Sequence, residues 1–318
     1  MVRFLCAQPS ELYFAWQVEV MLNNFIEMGI NLEYVDIVST KKNNKIPEIW
    51  KNLSNAYNAR FFFYEDTRTE KYYTSSIRPN ILKQHFKQYP ELTNQTIFYH
   101  DCDIIFRTPI NWNQFETDNI IYGSNTNWYI SYDYIISKGN DVFDKMVEIV
   151  DINPQLVIDN NNNSIGAQYI LKNIDETFWK DVERDCENLF RKITQLNNKK
   201  KQENPSYHEL QIWAADMWSV LWNIWKCGYT TQCHPDLMFS WGSSSEDSYN
   251  ICNIMHNAGI TDRYVNYFNK AKYIKSLPYN LNLKIKENTA SKKYYEWIQK
   301  TEKKSVLLKN SLAEKKII

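Results

Sequence analysis

The chain has 318 residues, of which 43% are hydrophobic and 23% are charged, values that are ordinary for a globular protein with a substantial core. Its 37 basic and 37 acidic side chains give a net charge of zero, which argues against a polyanion-binding protein, because such proteins usually carry a basic surplus. We find no signal peptide, no run of about 20 apolar residues that could span a membrane, and no CxxC pair among the six cysteines. We therefore expect a cytoplasmic protein with reduced thiols.

The first third of the chain alternates predicted strands with predicted helices. We predict strands at residues 2–7, 32–37, 60–64 and 96–99, and helices at residues 10–28, 46–57 and 78–86. Such alternation predicts an α/β fold of the Rossmann type, in which helices flank a mostly parallel central sheet.

The pattern becomes less regular after residue 109. We predict further strands at residues 119–122, 128–136 and 251–256, and helices at residues 141–150, 175–193, 208–225 and 291–301. The most linker-like segment is 197–205. The predicted domains are a main domain of residues 1–270 and a lysine-rich, helical C-terminal extension of residues 271–318.

Two acidic residues, Asp101 and Asp103, directly follow the predicted strand at 96–99. In an open parallel sheet, ligands bind beyond the carboxyl ends of the strands. A spacing of two residues on an extended segment directs both side chains to the same side. Neighbouring carboxylates repel each other unless a cation is present, so this pair favours a site for Mg²⁺ or Mn²⁺ that carries a diphosphate. The alternative is a pair of loop aspartates that cap the next element.

Three residues late in the chain are further candidates. His256 ends a predicted strand, where it could supply a third metal ligand or simply be a hydrogen-bonded polar residue, and Gly259 would let the backbone approach a phosphate. Asp216 lies in the aromatic stretch 213–218, where it either forms a structural salt bridge or faces a pocket in which a sugar develops positive charge. The tryptophans of that stretch are interpreted as core residues first and as sugar-stacking surfaces second.

Several short motifs occur in an order that resembles one family. They are Trp16-Gln17, Arg78-Pro79, Asp101-Cys102-Asp103 with the following residues 104–109, Ile165-Gly166-Ala167-Gln168, Asp216-Met217-Trp218 and Met255-His256-Asn257-Ala258-Gly259. Through these motifs, residues 1–270 resemble the hydroxyproline O-arabinosyltransferase and peptidyl-serine galactosyltransferase group of GT-A glycosyltransferases. The last motif is also similar to the late histidine motif of glycogenin-like enzymes. Asp101 replaces the glutamate that is usual in the family, and Gln168 stands where the family pattern is less amide-like.

The resemblance implies a transferase that moves a sugar from a UDP-sugar to a hydroxyl acceptor with retention of anomeric configuration. It implies that Asp101, Asp103 and His256 hold Mn²⁺ or Mg²⁺, and that Gln168 and Asp216 stabilise the sugar cation. The donor-binding candidates are Gln8, Gln17, Arg78, Asp101, Gly166 and Gly259. Two routes to retention stay open, namely attack on the leaving-group face with the diphosphate as base, and double displacement through Asp216.

The acceptor and the competing function classes stay open at this stage. A bacterial glycan, a protein and hydroxymethylated phage DNA are all candidate acceptors, and the frequent Lys, Asn and Ile indicate an AT-rich bacterial or phage genome. A non-catalytic carbohydrate- or nucleotide-binding protein on the same scaffold is the main alternative. A metal-dependent phosphohydrolase is a third, although it would usually need more carboxylate and histidine ligands.

Overall fold

Strands and helices alternate through the first part of the chain, as the sequence predicts. The computed structural model describes residues 1–309. The strands are β1 Arg3–Gln8, β2 Val35–Lys41, β3 Arg60–Glu65, β4 Ile97–Tyr99, β5 Ile104–Phe106, β6 Ile121–Asn125, β7 Ile165–Leu171, β8 Thr231–Cys233, β9 Phe239–Trp241 and β10 Ile254–His256. The helices are α1 Leu12–Glu27, α2 Glu48–Ala56, α3 Ile77–Gln88, α4 Asn127–Ile130, α5 Tyr132–Ile136, α6 Asn140–Val150, α7 Pro154–Asp159, α8 Glu176–Glu203, α9 Ala215–Lys226, α10 Glu246–Ile251 and α11 Ala290–Glu302.

Seven strands form the central sheet, in the order β3-β2-β1-β4-β7-β6-β8. The strand β2 pairs in parallel with both β1 and β3, and β6 pairs in parallel with β8, whereas β7 is antiparallel to both of its neighbours. All six residues of β1 are buried, as is typical of a strand that is covered on both faces. The predicted α/β fold, with helices beside a mostly parallel sheet, is therefore confirmed.

The packing divides the chain into two compact units. Unit 1 consists of Met1–Val2, Asp66–Tyr99 and Asn113–His234. Unit 2 consists of Arg3–Glu65, His100–Trp112 and the described residues of Pro235–Ile318. Among the described residues, no helix is both long enough and apolar enough to cross a membrane.

A small second sheet in unit 2 has the strand order β5-β10-β9, and its middle strand ends with His256. The strand β10 pairs antiparallel with β5 and parallel with β9. The buried side chain of Asn24 on α1 fastens this sheet, because its amide donates to the carbonyl oxygen of Phe106 at 2.8 Å and its oxygen accepts from the Phe106 N–H at 2.7 Å. Both polar groups at this edge of β5 are thus satisfied without a further strand.

The residues after 270 are anchored within unit 2 by a buried carboxylate. Glu19 on α1 accepts hydrogen bonds from the Tyr279 hydroxyl at 2.7 Å, the Ser305 hydroxyl at 2.7 Å and the Val306 N–H at 2.7 Å. Burial raises the pKa of Glu19. The predicted helix at 291–301 is found as α11. Residues 310–318 of the predicted extension lie outside the described residues, and the boundary at residue 270 stays a prediction.

The predicted linker at 197–205 is wrong for most of its length, because α8 continues to Glu203. Lysine, glutamine and glutamate are strong helix formers, so the polar composition of this segment is compatible with an exposed helix. The buried Asn197 side chain also donates to the Leu210 carbonyl at 3.0 Å, and Lys200 pairs with Asp141 at 2.5 Å. The helix ends at Glu203, because its C-cap residue Asn204 directly precedes a proline, a position where the helical conformation is disfavoured.

The predicted strand at 128–136 is also wrong, because this segment forms the short helices α4 and α5. Its aromatic and β-branched composition is typical of strands, but local side chains favour turns of helix instead. Ser131 caps α5 by accepting a hydrogen bond from the Tyr134 N–H at 3.2 Å. The Asn127 side chain accepts from the Ser164 N–H at 2.9 Å, which fixes the start of α4. Local capping has thus outweighed strand propensity.

Candidate functional site

Two carboxylates and one imidazole meet in unit 2. Asp101 and Asp103 lie just before β5, and His256 is the last residue of β10. The His256 Nε2 atom lies 3.4 Å from Asp101 Oδ2 and 3.2 Å from Asp103 Oδ1, and one ligand atom from each residue lies within 4.8 Å of the others. The structure therefore brings together the three side chains that the sequence predicts to hold a metal. Their role as ligands stays a prediction.

The pairing of β5 with β10 explains why these side chains meet. His256 lies opposite Ile104 in the antiparallel register, and the Asn257 N–H donates to the Asp103 carbonyl at 2.9 Å. The ring of Trp241, on the neighbouring β9, stacks on the imidazole with a centroid distance of 5.9 Å and an interplanar angle of 15°. Backbone pairing and ring stacking together hold the His256 side chain beside the carboxylates before any ligand binds.

Gly259 lies close to the same tryptophan and has a backbone that favours glycine. Its φ angle is +79°, and a Cβ atom there would lie 3.3 Å from the Trp241 ring. A side chain at this position would be strained whatever the space around it. The predicted approach of a phosphate to this backbone stays a prediction.

A lysine that the sequence analysis missed forms a close ion pair with this cluster. The Lys270 ammonium contacts Asp103 Oδ2, and the lysine side chain is one quarter exposed. Burial alone would raise the pKa of Asp103, but Lys270 and His256 hold this pKa well below its ordinary value. Asp103 in turn raises the pKa of Lys270 above its ordinary value, against the effect of burial. Lys270 therefore balances the charge of a carboxylate that is only 4% exposed.

The chemistry of the cluster fits a divalent cation. Carboxylate oxygens suit both Mg²⁺ and Mn²⁺, and an imidazole nitrogen is a ligand that Mn²⁺ accepts more readily than Mg²⁺ does. Three protein ligands leave positions open for water or for substrate oxygens. Because Asp103 is already paired with an ammonium group, a bound cation would share or displace the Lys270 charge.

The other donor-binding candidates of unit 2 are buried. Gln8 ends β1 and is only 2% exposed. The Gln17 amide donates to the Tyr13 carbonyl of its own helix at 2.5 Å, and Gln17 is 1% exposed. A substrate would reach either side chain only if its neighbours moved. Their predicted contacts with a donor stay untested.

A second polar cluster lies within unit 1, at the beginning of α9. The Asp216 carboxylate pairs with the Arg78 guanidinium at 2.9 Å, and the Tyr73 hydroxyl lies 2.7 Å from it. Burial and the Asp216 charge raise the pKa of Tyr73 well above its ordinary value. The salt bridge that one interpretation of Asp216 predicts is thus present. The Arg78 side chain is still 24% exposed and the Asp216 side chain 13% exposed, so a ligand could reach them.

The remaining candidates of unit 1 lie on β7. Gln168 is fully buried, and its side-chain oxygen accepts from the Ser124 hydroxyl at 2.6 Å. The pairing register with β6 shifts here, and Ala167 has a φ angle of +62°, so β7 bulges at this point. Gly166 is closely packed, since a Cβ atom there would lie 2.4 Å from the flexible Met217 methyl group and 2.8 Å from the Thr126 hydroxyl oxygen. The bulge turns β7 out of regular pairing next to Gln168.

Comparisons with known proteins find similarity among solved structures. No protein-family profile matches the chain, and no curated protein matches it. Among solved structures, the chain is similar to the apo structure of the WbbM bifunctional glycosyltransferase, with 10% sequence identity and a TM-score of 0.46. The match covers 82% of this chain and 46% of that one, so the chain spans less than half of its length.

Replacing the cluster's lysine tests whether Lys270 shares the position of a bound cation. We expect Lys270→Gln to bind Mn²⁺ roughly tenfold more tightly than the wild type, because one positive charge beside Asp103 is removed. Isothermal titration of Mn²⁺ at low salt measures this affinity. The control is Lys272→Gln, which removes an exposed lysine two residues away and should leave the affinity unchanged. Equal affinities for all three proteins would show that Lys270 does not compete with the metal.

Proposed function

We propose that this chain is a metal-dependent glycosyltransferase, which moves a sugar from a UDP-sugar to a hydroxyl acceptor. The observation that carries the proposal is the meeting of Asp101, Asp103 and His256 beside the paired strands β5 and β10. Such a ligand set, in an α/β fold with a mostly parallel sheet, suits a cation that binds an anionic oxygen ligand. A diphosphate is the leaving group that such a cation would stabilise.

A Mn²⁺ or Mg²⁺ ion held by Asp101, Asp103 and His256 would supply the charge that neutralises a departing diphosphate. The protein's own residues orient these ligands. Trp241 and the strand pairing fix the His256 imidazole, which lowers the reorganisation needed when a ligand binds. The Lys270 ammonium group, which contacts Asp103, would add a second positive charge beside the bound metal ion.

In unit 1, we propose that Asp216 stabilises positive charge on the transferred sugar. Its carboxylate is held by Arg78 and is still partly exposed, so it combines a fixed position with access for a ligand. This role fits transfer with retention, either by attack on the leaving-group face or through a covalent intermediate on Asp216. Gln168 would contribute through its side-chain oxygen only if the residues that bury it moved, because it is fully buried.

Two other functions would use the same cluster differently. Among residues 1–309, Asp101, Asp103 and His256 form the one group of three or more acidic, histidine or cysteine side chains that could hold a metal. A two-metal phosphohydrolase needs additional ligands, so this observation favours the transferase. A non-catalytic binding protein would bind the nucleotide-sugar and leave it intact.

Donor turnover separates these three functions. We expect the protein to release UDP slowly from one of a panel of UDP-sugars. EDTA should stop this release, and added Mn²⁺ should restore it. Asp101→Asn should abolish the release, because it removes the charge of one of the three proposed metal ligands. The matched control is Asp247→Asn, which removes an exposed carboxylate elsewhere in unit 2.

The products decide the outcome, since UMP and a sugar phosphate would indicate a phosphohydrolase. Donor binding without any product would indicate a binding protein. Full activity in EDTA would contradict the proposal.

A single charge removal distinguishes the two roles of Asp216. We expect Asp216→Asn to lower kcat roughly 10²-fold while the donor Kd changes little, as is usual when electrostatic stabilisation of a transition state is lost. The control is Asp118→Asn, which breaks the 3.0 Å ion pair with Lys172 in the same unit and should affect melting temperature alone. A destabilised Asp216→Asn protein with near-normal turnover per folded molecule would leave Asp216 with a structural role.

A further inference from the structure

Two tryptophans of unit 1 are exposed to solvent. Trp128 is 65% exposed and Trp213 is 53% exposed, and they are the exposed tryptophans among residues 1–309. By contrast, Trp218, at the other end of the motif that contains Trp213, is fully buried. Keeping large apolar rings in water is unfavourable, so a pair of exposed indoles indicates an interaction surface when the rings are close together.

Both exposed indoles contact one buried tyrosine, Tyr129, which is only 2% exposed. Tyr129 lies between them, with its ring centroid 4.5 Å from that of Trp128 and 6.0 Å from that of Trp213. The Tyr129 and Trp213 rings are nearly parallel, at an interplanar angle of 19°. We name the two exposed indoles, together with the buried Tyr129 that contacts both, the aromatic platform.

The platform extends to the Asp216 cluster. The Tyr73 hydroxyl lies 2.5 Å from the Trp213 carbonyl oxygen and 2.7 Å from the Asp216 carboxylate. The Tyr129 hydroxyl lies 3.9 Å from the sulfur of Met217, the residue next to Asp216. A ligand that lies on the platform would therefore have one end near Asp216, the carboxylate that we propose stabilises the positive charge on the transferred sugar.

Hydrogen bonds hold the platform in place before anything binds. The Asn127 side chain donates to the Asn162 carbonyl at 2.9 Å and accepts from the Ser164 N–H at 2.9 Å, which fixes the backbone on which Trp128 stands. The Trp213 indole N–H donates to the exposed Gln211 side chain at 3.3 Å. A surface that is ordered in advance loses less entropy on binding, which favours a ligand site.

We propose that the aromatic platform binds a neutral carbohydrate, which on the proposed function is the acceptor. Indole faces match the C–H faces of a sugar ring, and the exposed amides of Asn125 and Gln211 can bond to its hydroxyls. The Arg78 guanidinium of the neighbouring Asp216 cluster is balanced by the Asp216 carboxylate. A single-stranded nucleic acid would also stack on aromatic rings, but it needs a basic groove along its backbone. The charge balance here favours the uncharged ligand.

The test uses the whole protein and an array of neutral oligosaccharides, with oligo(dT) and heparin as polyanionic probes. Isothermal titration then measures the Kd of the best-bound oligosaccharide. We expect Trp128→Ala and Trp213→Ala each to weaken it roughly tenfold, and Trp128→Phe and Trp213→Phe to restore most of the affinity, because the stacking face is kept. Trp297→Ala, in unit 2, is the tryptophan control and should bind like the wild type.

Metal-dependent release of UDP from the donor, measured without acceptor, should be unchanged in all of these variants. This readout keeps the two proposals apart. If the wild type turned over no donor but bound an oligosaccharide through both tryptophans, the result would contradict the transferase. It would still support the carbohydrate site. Three results would overturn the carbohydrate site: no oligosaccharide bound by the wild type, binding that both alanine variants retain, or tryptophan-dependent binding of oligo(dT) or heparin alone.

Discussion

Two carboxylates that lie close together need a positive charge beside them, and the arrangement of unit 2 follows from this constraint. Asp103 is almost completely buried, so its charge would be costly without a partner. Lys270 and His256 supply that partner, and the pairing of β5 with β10 delivers the imidazole. A site that already stabilises an ammonium group against carboxylates is chemically suited to a divalent cation. A divalent cation that bound at this cluster would share or displace the charge of the Lys270 ammonium group.

The cluster in unit 1 holds a single carboxylate that is already paired with an arginine. Arg78 fixes the position of the Asp216 carboxylate, whose side chain remains 13% exposed. The aromatic platform adjoins this carboxylate, because the Tyr73 hydroxyl contacts both the Trp213 carbonyl oxygen and Asp216. Unit 2 therefore places two carboxylates where an ammonium group already lies beside one of them, and unit 1 places one arginine-held carboxylate near exposed indole rings.

The sequence predicts β1 and β3 well because both are rich in apolar residues, whereas β2 begins at Val35, after the predicted start at residue 32. It also predicts the grouping of Asp101, Asp103 and His256, since ligand chemistry limits which residues can meet at strand ends. The helices at 127–136 and the end of α8 were not predictable from composition, because single capping and tertiary hydrogen bonds decide them. Lys270 was missed for a similar reason. It lies in an irregular segment whose position depends on the completed fold.

Binding of Mn²⁺ in the absence and presence of UDP, followed by electron paramagnetic resonance, tests most directly whether this cluster holds a cation together with a diphosphate. We expect one Mn²⁺ per chain, bound more tightly when UDP is present, with UDP affinity raised by the same factor when Mn²⁺ is present, because the two effects are thermodynamically linked. Asp101→Asn and His256→Ala should remove this coupling. Mn²⁺ binding that is absent, that does not respond to UDP, or that survives both substitutions would contradict the assignment.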